Sequence, residues 1–552
     1  MKILENITSG YKRIATGIAI VLFLTVMYIA LIPGASVAAS GVYGALSGAP
    51  IADAFVKIVE WPQYNATTNG SGVYSITNVP IGTYNISATK YGYFPNTSQF
   101  TVVEGVNPPY DIMLFASKEF YFAEGYSSPT QQPYLTLQNP NTEPVNIIIT
   151  YLLANGSTVQ DTAVTVISPT TRVTARPYNF LSGAFSTKII SDKPIVAERP
   201  LYFNLNMLGG NVNGGHNTIG VTSPNTTWYF AEGYSSSTQQ PFIPIMNPNN
   251  TVTALVTVTY MLSNGSTVVD TALTSIGPNT RATARPYNFL SGAFSTTIIS
   301  DIPIVPERVM YFNLDMLGGN VNEGHVSIGT TSPYKNWYFA EGNNSAIQST
   351  YIPILNPSNT NTANVIVTYL LPNGSTVVDT ALTSIGPNTR ATARPYNFVS
   401  GQHATNITSD QPIIAESVNY FRKTMLGGNI DGGYETMGAS SLSTIIYFAE
   451  GYNSPTQQAE ISIGNPNDQP ASITITYMQP NGSTVVDTNT ISVGATSRAS
   501  AYPNNFVQGA FSTKIESTQP IVAERMVYFN LNMLGGNVNG AHNTIGINGP
   551  LS

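Results

Sequence analysis

The sequence predicts an all-β protein, an N-terminal signal or anchor helix followed by five tandem antiparallel β-sandwich domains. Three observations carry this. Four near-copies of one segment follow one another at a domain-sized period. Apolar residues inside each copy alternate at period two. Nothing beyond residue 40 has the spacing of an amphipathic helix.

The period is set by Phe-Ala-Glu-Gly, which begins at Phe122, Phe230, Phe339 and Phe448. Its carboxylates are Glu124, Glu232, Glu341 and Glu450. Other positions repeat in step: Asn-Gly-Ser-Thr from Asn155, Asn264, Asn373 and Asn481, and Asp-Thr from Asp161, Asp270, Asp379 and Asp487. An arginine stands at Arg172, Arg281, Arg390 and Arg498, and a second acid at Glu198, Glu307, Glu416 and Glu524. Each copy closes on Met-Leu-Gly-Gly, at Met207, Met316, Met425 and Met533. The spacing lies above the roughly 20–50 residues of solenoid repeats, so each copy is read as a whole domain. The boundaries are 117–222, 223–331, 332–440 and 441–552, copies 1 to 4 below.

Within a copy, Val256, Val258 and Tyr260 alternate with Thr257 and Thr259, and Ile473, Ile475 and Tyr477 with Thr474 and Thr476. Such alternation marks a half-buried strand. The following Asn-Gly supplies a tight hairpin turn. In copy 1, strands are expected at Phe120–Ala123, Tyr134–Gln138, Val159–Ile167, Val173–Phe180, Phe185–Ser191 and Ile195–Leu205. Short joints such as Ser223-Pro224-Asn225 limit bending, so the domains are expected in a row, a rod on the order of 150–200 Å long.

Residues 40–116 form a different module. Gly41-Val42-Tyr43, Ala52-Asp53-Ala54-Phe55-Val56, Gly72-Val73-Tyr74-Ser75-Ile76 and Gly82-Thr83-Tyr84-Asn85-Ile86 read as short strands with turn glycines between them. At these residues the segment resembles the carboxypeptidase regulatory-like domain, a transthyretin-like sandwich related to carbohydrate-binding-like folds. Asp53 departs from that pattern, where the family usually has glycine. The resemblance implies a non-catalytic spacer or binding module. The four copies look like Ig-like units of large prokaryotic surface proteins, which brings no activity.

Residues 1–39 set the compartment. Lys12 and Arg13 precede the apolar stretch from Ile14 to Ile32, followed by small residues from Ala35 to Ala39. This reads as a cleaved signal peptide or a retained membrane anchor, and both place the remainder outside the cytoplasm. Composition excludes much else. The chain has no Cys, which removes thiol chemistry and thiolate metal sites. A net charge of −7 with only 22 Lys and Arg leaves no electrostatic footprint for nucleic acid.

No cofactor or metal is expected. His216, His325 and His542 recur in Asn/Gly-rich segments and are read as solvated turn residues, with Tyr434 in their place in copy 3. His403 stands alone and is assigned to the surface. Calcium could use Asn213, Glu323 or Asp431, yet no regular run of oxygen ligands exists. Glu124 and Glu198 could suggest a glycosidase pair. Four near-identical copies argue instead for structural carboxylates, each answered by an arginine or backbone N–H groups of its own copy. The hairpin-tip Asn155, Asn264, Asn373 and Asn481 are candidate glycosylation sites. The function expected is that of a non-enzymatic surface or secreted structural or adhesion protein. Its partners would be envelope polysaccharide, other surface proteins or further copies of itself, with membrane contact only through the N-terminal segment. Carbohydrate binding by the 40–116 module is the first alternative, polysaccharide hydrolysis the second.

Overall fold

The structure, a computed structural model, describes residues 50–551 other than 91, 105, 108, 109, 491 and 550, together with 36–37 and 40–44. The expected signal or anchor helix lies outside the described residues. Among the described residues no helix is long and apolar enough to cross a membrane. The chain is nearly all β, with 64% strand and 2% helix, and folds as two compact units, Met1–Ser117 and Lys118–Ser552.

The first unit packs two sheets around Ala54, Val56, Ile58, Ile86, Ala88, Val102 and Leu114. One sheet joins Phe55–Ile58, Asn65–Thr67, Gly82–Thr89 and Asn96–Val102 in antiparallel fashion. The other departs from the all-antiparallel expectation: Ile112–Ala116 runs parallel to Ser40–Gly44, because the intervening chain crosses over through the opposite sheet. Asp53 has φ 53°, which explains the glycine usual at that position. Aspartate is among the few other residues that tolerate this left-handed conformation.

In the second unit every strand ladder lies within one copy. In copy 1, Gly183–Ser191 pairs with Lys118–Phe122 on one side and Val145–Leu153 on the other. Facing it, Val196–Met207 pairs with Gln131–Pro133, Leu135–Asn139 and Gly210–Ile219. Leu135, Leu137, Ile147, Ile149, Tyr151 and Ile189 fill the space between. Two of the expected strands break. Val173–Phe180 stops at Ala175, since Pro177 cannot donate to a ladder and opens a 3-10 turn over Pro177–Asn179. Val159–Ile167 is split by Asp161. This buried carboxylate accepts from the Tyr151 hydroxyl at 2.7 Å and from the amide of Ala163 at 2.8 Å. The same clasp recurs at Tyr260–Asp270, Tyr369–Asp379 and Tyr477–Asp487.

The sequence reading missed one long strand per copy. Gly210–Ile219, Gly319–Ile328, Gly428–Met437 and Gly536–Ile545 each return from a two-residue turn at Leu-Gly, with Leu208 at φ 54° and Gly209 at φ 75°. Each of these four strands packs beside the strands of its two neighbouring copies, and the fourth packs on the first. They are called axial strands below. The four copies therefore close into a ring, which overturns the expected rod within residues 118–552. The interface is head-to-tail, and its rotation closes after four units instead of propagating in a line. Short joints fix the turn between copies; they do not keep the copies in a straight row.

Candidate functional site

The ring is held by contacts that step around it from one copy to the next. Near the axis, T-shaped ring pairs run Phe203–Tyr311, Phe312–Tyr420, Phe421–Tyr528 and Phe529–Tyr202, at 5.0, 5.2, 5.5 and 5.1 Å. Each such pair contributes about 0.5–1.5 kcal/mol beyond its buried area. A second circle is polar. The amide of Asn213 donates to Asn322 Oδ1, that of Asn322 to Asp431 Oδ1, that of Asp431 to Asn539 Oδ1, and that of Asn539 back to Asn213 Oδ1. Asn213 and Asp431, weighed in the sequence as calcium ligands, are thus members of this circle.

The repeated acids lie at the junctions between copies. Arg281 meets Glu124 at 3.1 Å, Arg390 meets Glu232 at 2.9 Å, Arg498 meets Glu341 at 3.1 Å, and Arg172 meets Glu450 at 3.3 Å. Every arginine thus pairs with the acid of the preceding copy, and copy 1 pairs with copy 4. The expectation of pairing inside one copy is corrected by these distances. Each bond crosses a junction because the arginine sits on a short edge strand, Thr171–Ala175 in copy 1, which faces the neighbour's Phe-Ala-Glu-Gly turn.

The second acids step the other way. Glu307 takes Arg199 at 2.8 Å and the Ala123 amide at 2.7 Å; Glu198 takes Arg525 at 2.9 Å and the Ala449 amide at 2.7 Å. Glu416 takes Arg308 at 3.0 Å and the Glu232 amide. Copy 3 carries Ser417 in place of the arginine. Glu524 consequently has only the Ala340 and Glu341 amides and Asn543 Nδ2, and burial pushes its carboxyl up to about 7. Glu416 is also pushed up to about 7: burial outweighs Arg308, which it shares with Glu435. All the second acids are fully buried, and among the described residues no glycosidase-like pair of repeated acids faces an open cleft.

The histidines are corrected as well. His216, His325 and His542 line the axis, each buried and tilted against a phenylalanine of its own copy, with Tyr434 in the fourth place. They are buried because Gly- and Asn-rich strands let four backbones approach closely. Burial first, then the charge of Arg199, holds the His216 imidazole well below its ordinary value. Burial and Arg525 do the same to His542. His325 Nδ1 lies 2.5 Å from Glu435. Among the described residues no three His, Asp or Glu are placed to hold a metal ion. His403 is also buried, in the place that Phe185, Phe294 and Phe511 take in the other copies, edge-on to Tyr369. Its pKa falls to about 4, because burial disfavours the charged ring.

The role of Glu323 was not legible as a calcium ligand's. Its side chain lies on the axis and touches backbone of all three other copies. The signal for it was an acid in copy 2 where the other copies have Gly214, Gly432 and Gly540.

Residues 40–115 match the family model of the carboxypeptidase regulatory-like domain. No curated protein matches the chain. Among solved structures, a type II cohesin–X-dockerin complex of Acetivibrio cellulolyticus is 24% identical over 15% of this chain, with a TM-score of 0.13. The chain spans 60% of that protein's length. Thermotoga maritima 1070 is 21% identical over 19% of this chain and 92% of its own length, with a TM-score of 0.17. The major pilin subunit of Bacillus cereus is 14% identical over 54% of this chain and 92% of its own, with a TM-score of 0.14.

Proposed function

We infer that the protein is a non-enzymatic, extracytoplasmic structural component, in which residues 118–552 serve as a rigid four-part hub. The observation that carries this reading is the closed relay of buried Arg–Glu pairs from copy 1 to copy 4 and back. Carboxylates so engaged are committed to joining the copies, which leaves them unavailable as a general acid or base. A closed ring also presents equivalent outward faces, with the exposed hairpin tips at Asn155, Asn264, Asn373 and Asn481 as places for glycan or partner. The basic flank and apolar stretch at the N-terminus support export. Protease treatment of intact cells, followed by mass spectrometry, tests the location. Peptides from residues 118–552 released without lysis support the reading, and peptides found only after lysis refute it.

A second reading is favoured by one observation. In the 40–116 module, Trp61 is 41% exposed and stacks against Tyr64 at 6.0 Å, an aromatic surface of the kind that sugar rings pack on. Glycan-array binding that Trp61→Ala abolishes would make polysaccharide recognition the role of this module.

A further inference from the structure

At the ring axis four backbones converge, and one carboxyl group lies among them. Glu323 belongs to copy 2. Its Oε1 accepts from the amides of Gly215 at 3.3 Å and Ala541 at 3.0 Å, and its Oε2 from the amide of Gly433 at 2.7 Å. The three donors come from copies 1, 4 and 3, one step beyond Gly214, Gly540 and Gly432 in each axial strand. A methyl group added at any of those three glycines would overlap the Glu323 side chain. The axis therefore has room for one carboxyl group, supplied by the copy that has no glycine there.

The geometry points to an axial binding site for a single small carboxylate, built from the convergent amides of copies 1, 3 and 4 and occupied by Glu323 of copy 2. The donor set defines the chemistry. Both oxygens accept from amides, so the cradle suits a planar carboxyl group and disfavours an amide, whose NH₂ would face N–H donors. The glycines keep the side-chain space clear. A fully buried carboxyl needs several donors to be tolerated, and three amides supply them.

The site is tested in the full chain. Glu323→Ala removes Cγ and the carboxyl group, the atoms of one acetate ion. Because the axis is buried, acetate is added during refolding, and the unfolding midpoint is then measured. A ligand that binds only the folded state raises the midpoint with the logarithm of its concentration. Acetate is expected to raise it in Glu323→Ala, with no such rise from acetamide or from chloride at equal ionic strength, and none in the native chain. A folded Glu323→Ala variant with no acetate-specific rise would overturn the proposal. If that variant does not fold, the carboxyl group is moved: Glu323→Gly combined with Gly432→Glu hands it from copy 2 to copy 3. Recovery of the native midpoint supports a shared axial site, and failure of the double variant to fold overturns it.

Discussion

The junctions of the ring are not equal, and the odd one shows what the others do. Where copy 4 meets copy 1, Glu198 holds Arg525, Asn217 and two amides. Where copy 3 meets copy 4, Glu524 holds Asn543 and two amides in the same arrangement, with Ser417 where the arginine would be. The neighbourhood has adjusted. Gln131, Gln239 and Gln457 each reach across a junction to a tyrosine of the adjoining copy, but Gln348 turns to Tyr434 within copy 3. Lys423 donates to Tyr528 across the gap at 2.7 Å. The ring closes at this junction without that arginine, through the two amides on Glu524 together with the Arg498–Glu341 pair and the Phe421–Tyr528 contact, so the arginine is not what forms it. Burial is what pushes the Glu524 carboxyl up to about 7, and at two other junctions an arginine works against that same burial.

The largest expected effect comes from turning a regular junction into the odd one. Arg525→Ala leaves Glu198 buried without its cation and should lower unfolding stability by about 3–5 kcal/mol, read from denaturant midpoints. The reverse change sharpens the same comparison. Ser417→Arg should stabilise the chain at neutral pH by roughly 1–3 kcal/mol, since it provides Glu524 with the partner its counterparts have. The pH dependence fixes the sign. A carboxyl raised from 4.5 to about 7 favours the folded state fully below about pH 4.5, and that contribution is lost as pH rises to about 7. The Glu524 share of this loss should shrink in Ser417→Arg, because the added cation opposes burial, seen by comparing urea midpoints at about pH 5 and about pH 8.

A smaller loss is expected from the outer relay. Arg281 and Glu124 keep slight access to solvent, and Arg281 also donates to the carbonyl of Gly125. Arg281→Ala should cost about 1–3 kcal/mol in the same measurement, mainly through the charge-assisted bonds it removes. The smallest effect belongs to an ion pair that joins no copies. Lys193 meets Glu143 at 3.0 Å with the acid largely exposed, so Lys193→Ala should shift stability by less than about 1 kcal/mol.

The sequence made the strands and the repeated charges legible, but not the partners of those charges. Alternation located the strands Ala254–Leu262 and Ala471–Met478, and the Asn-Gly turns located the hairpins, because both signals are local. Arg172 and Glu124 were expected to be paired within copy 1, and each instead meets a residue of another copy. In near-identical tandem copies, a contact within one copy and the same contact between neighbours leave the same residues at the same spacing. Only closure of the chain distinguishes them. The axial strands escaped for another reason. Glycine and asparagine are poor strand formers in general, yet Gly210–Ile219 is a strand because three other backbones lie against it. Aligning the copies does carry two signals of the interior: His403 where others have phenylalanine, and Glu323 where others have glycine.

The central claim is that copy 4 returns to copy 1. The hairpin tips provide equivalent, exposed positions, and the absence of native cysteine makes paired labelling unambiguous. Spin labels at Asn155 and Asn264 report the distance between adjacent copies, and labels at Asn155 and Asn481 report the distance between the first and the last. In a closed ring the two distances agree, with Asn155 to Asn373 longer than either. A first-to-last distance several times the adjacent one would mean a row of domains and would contradict the ring.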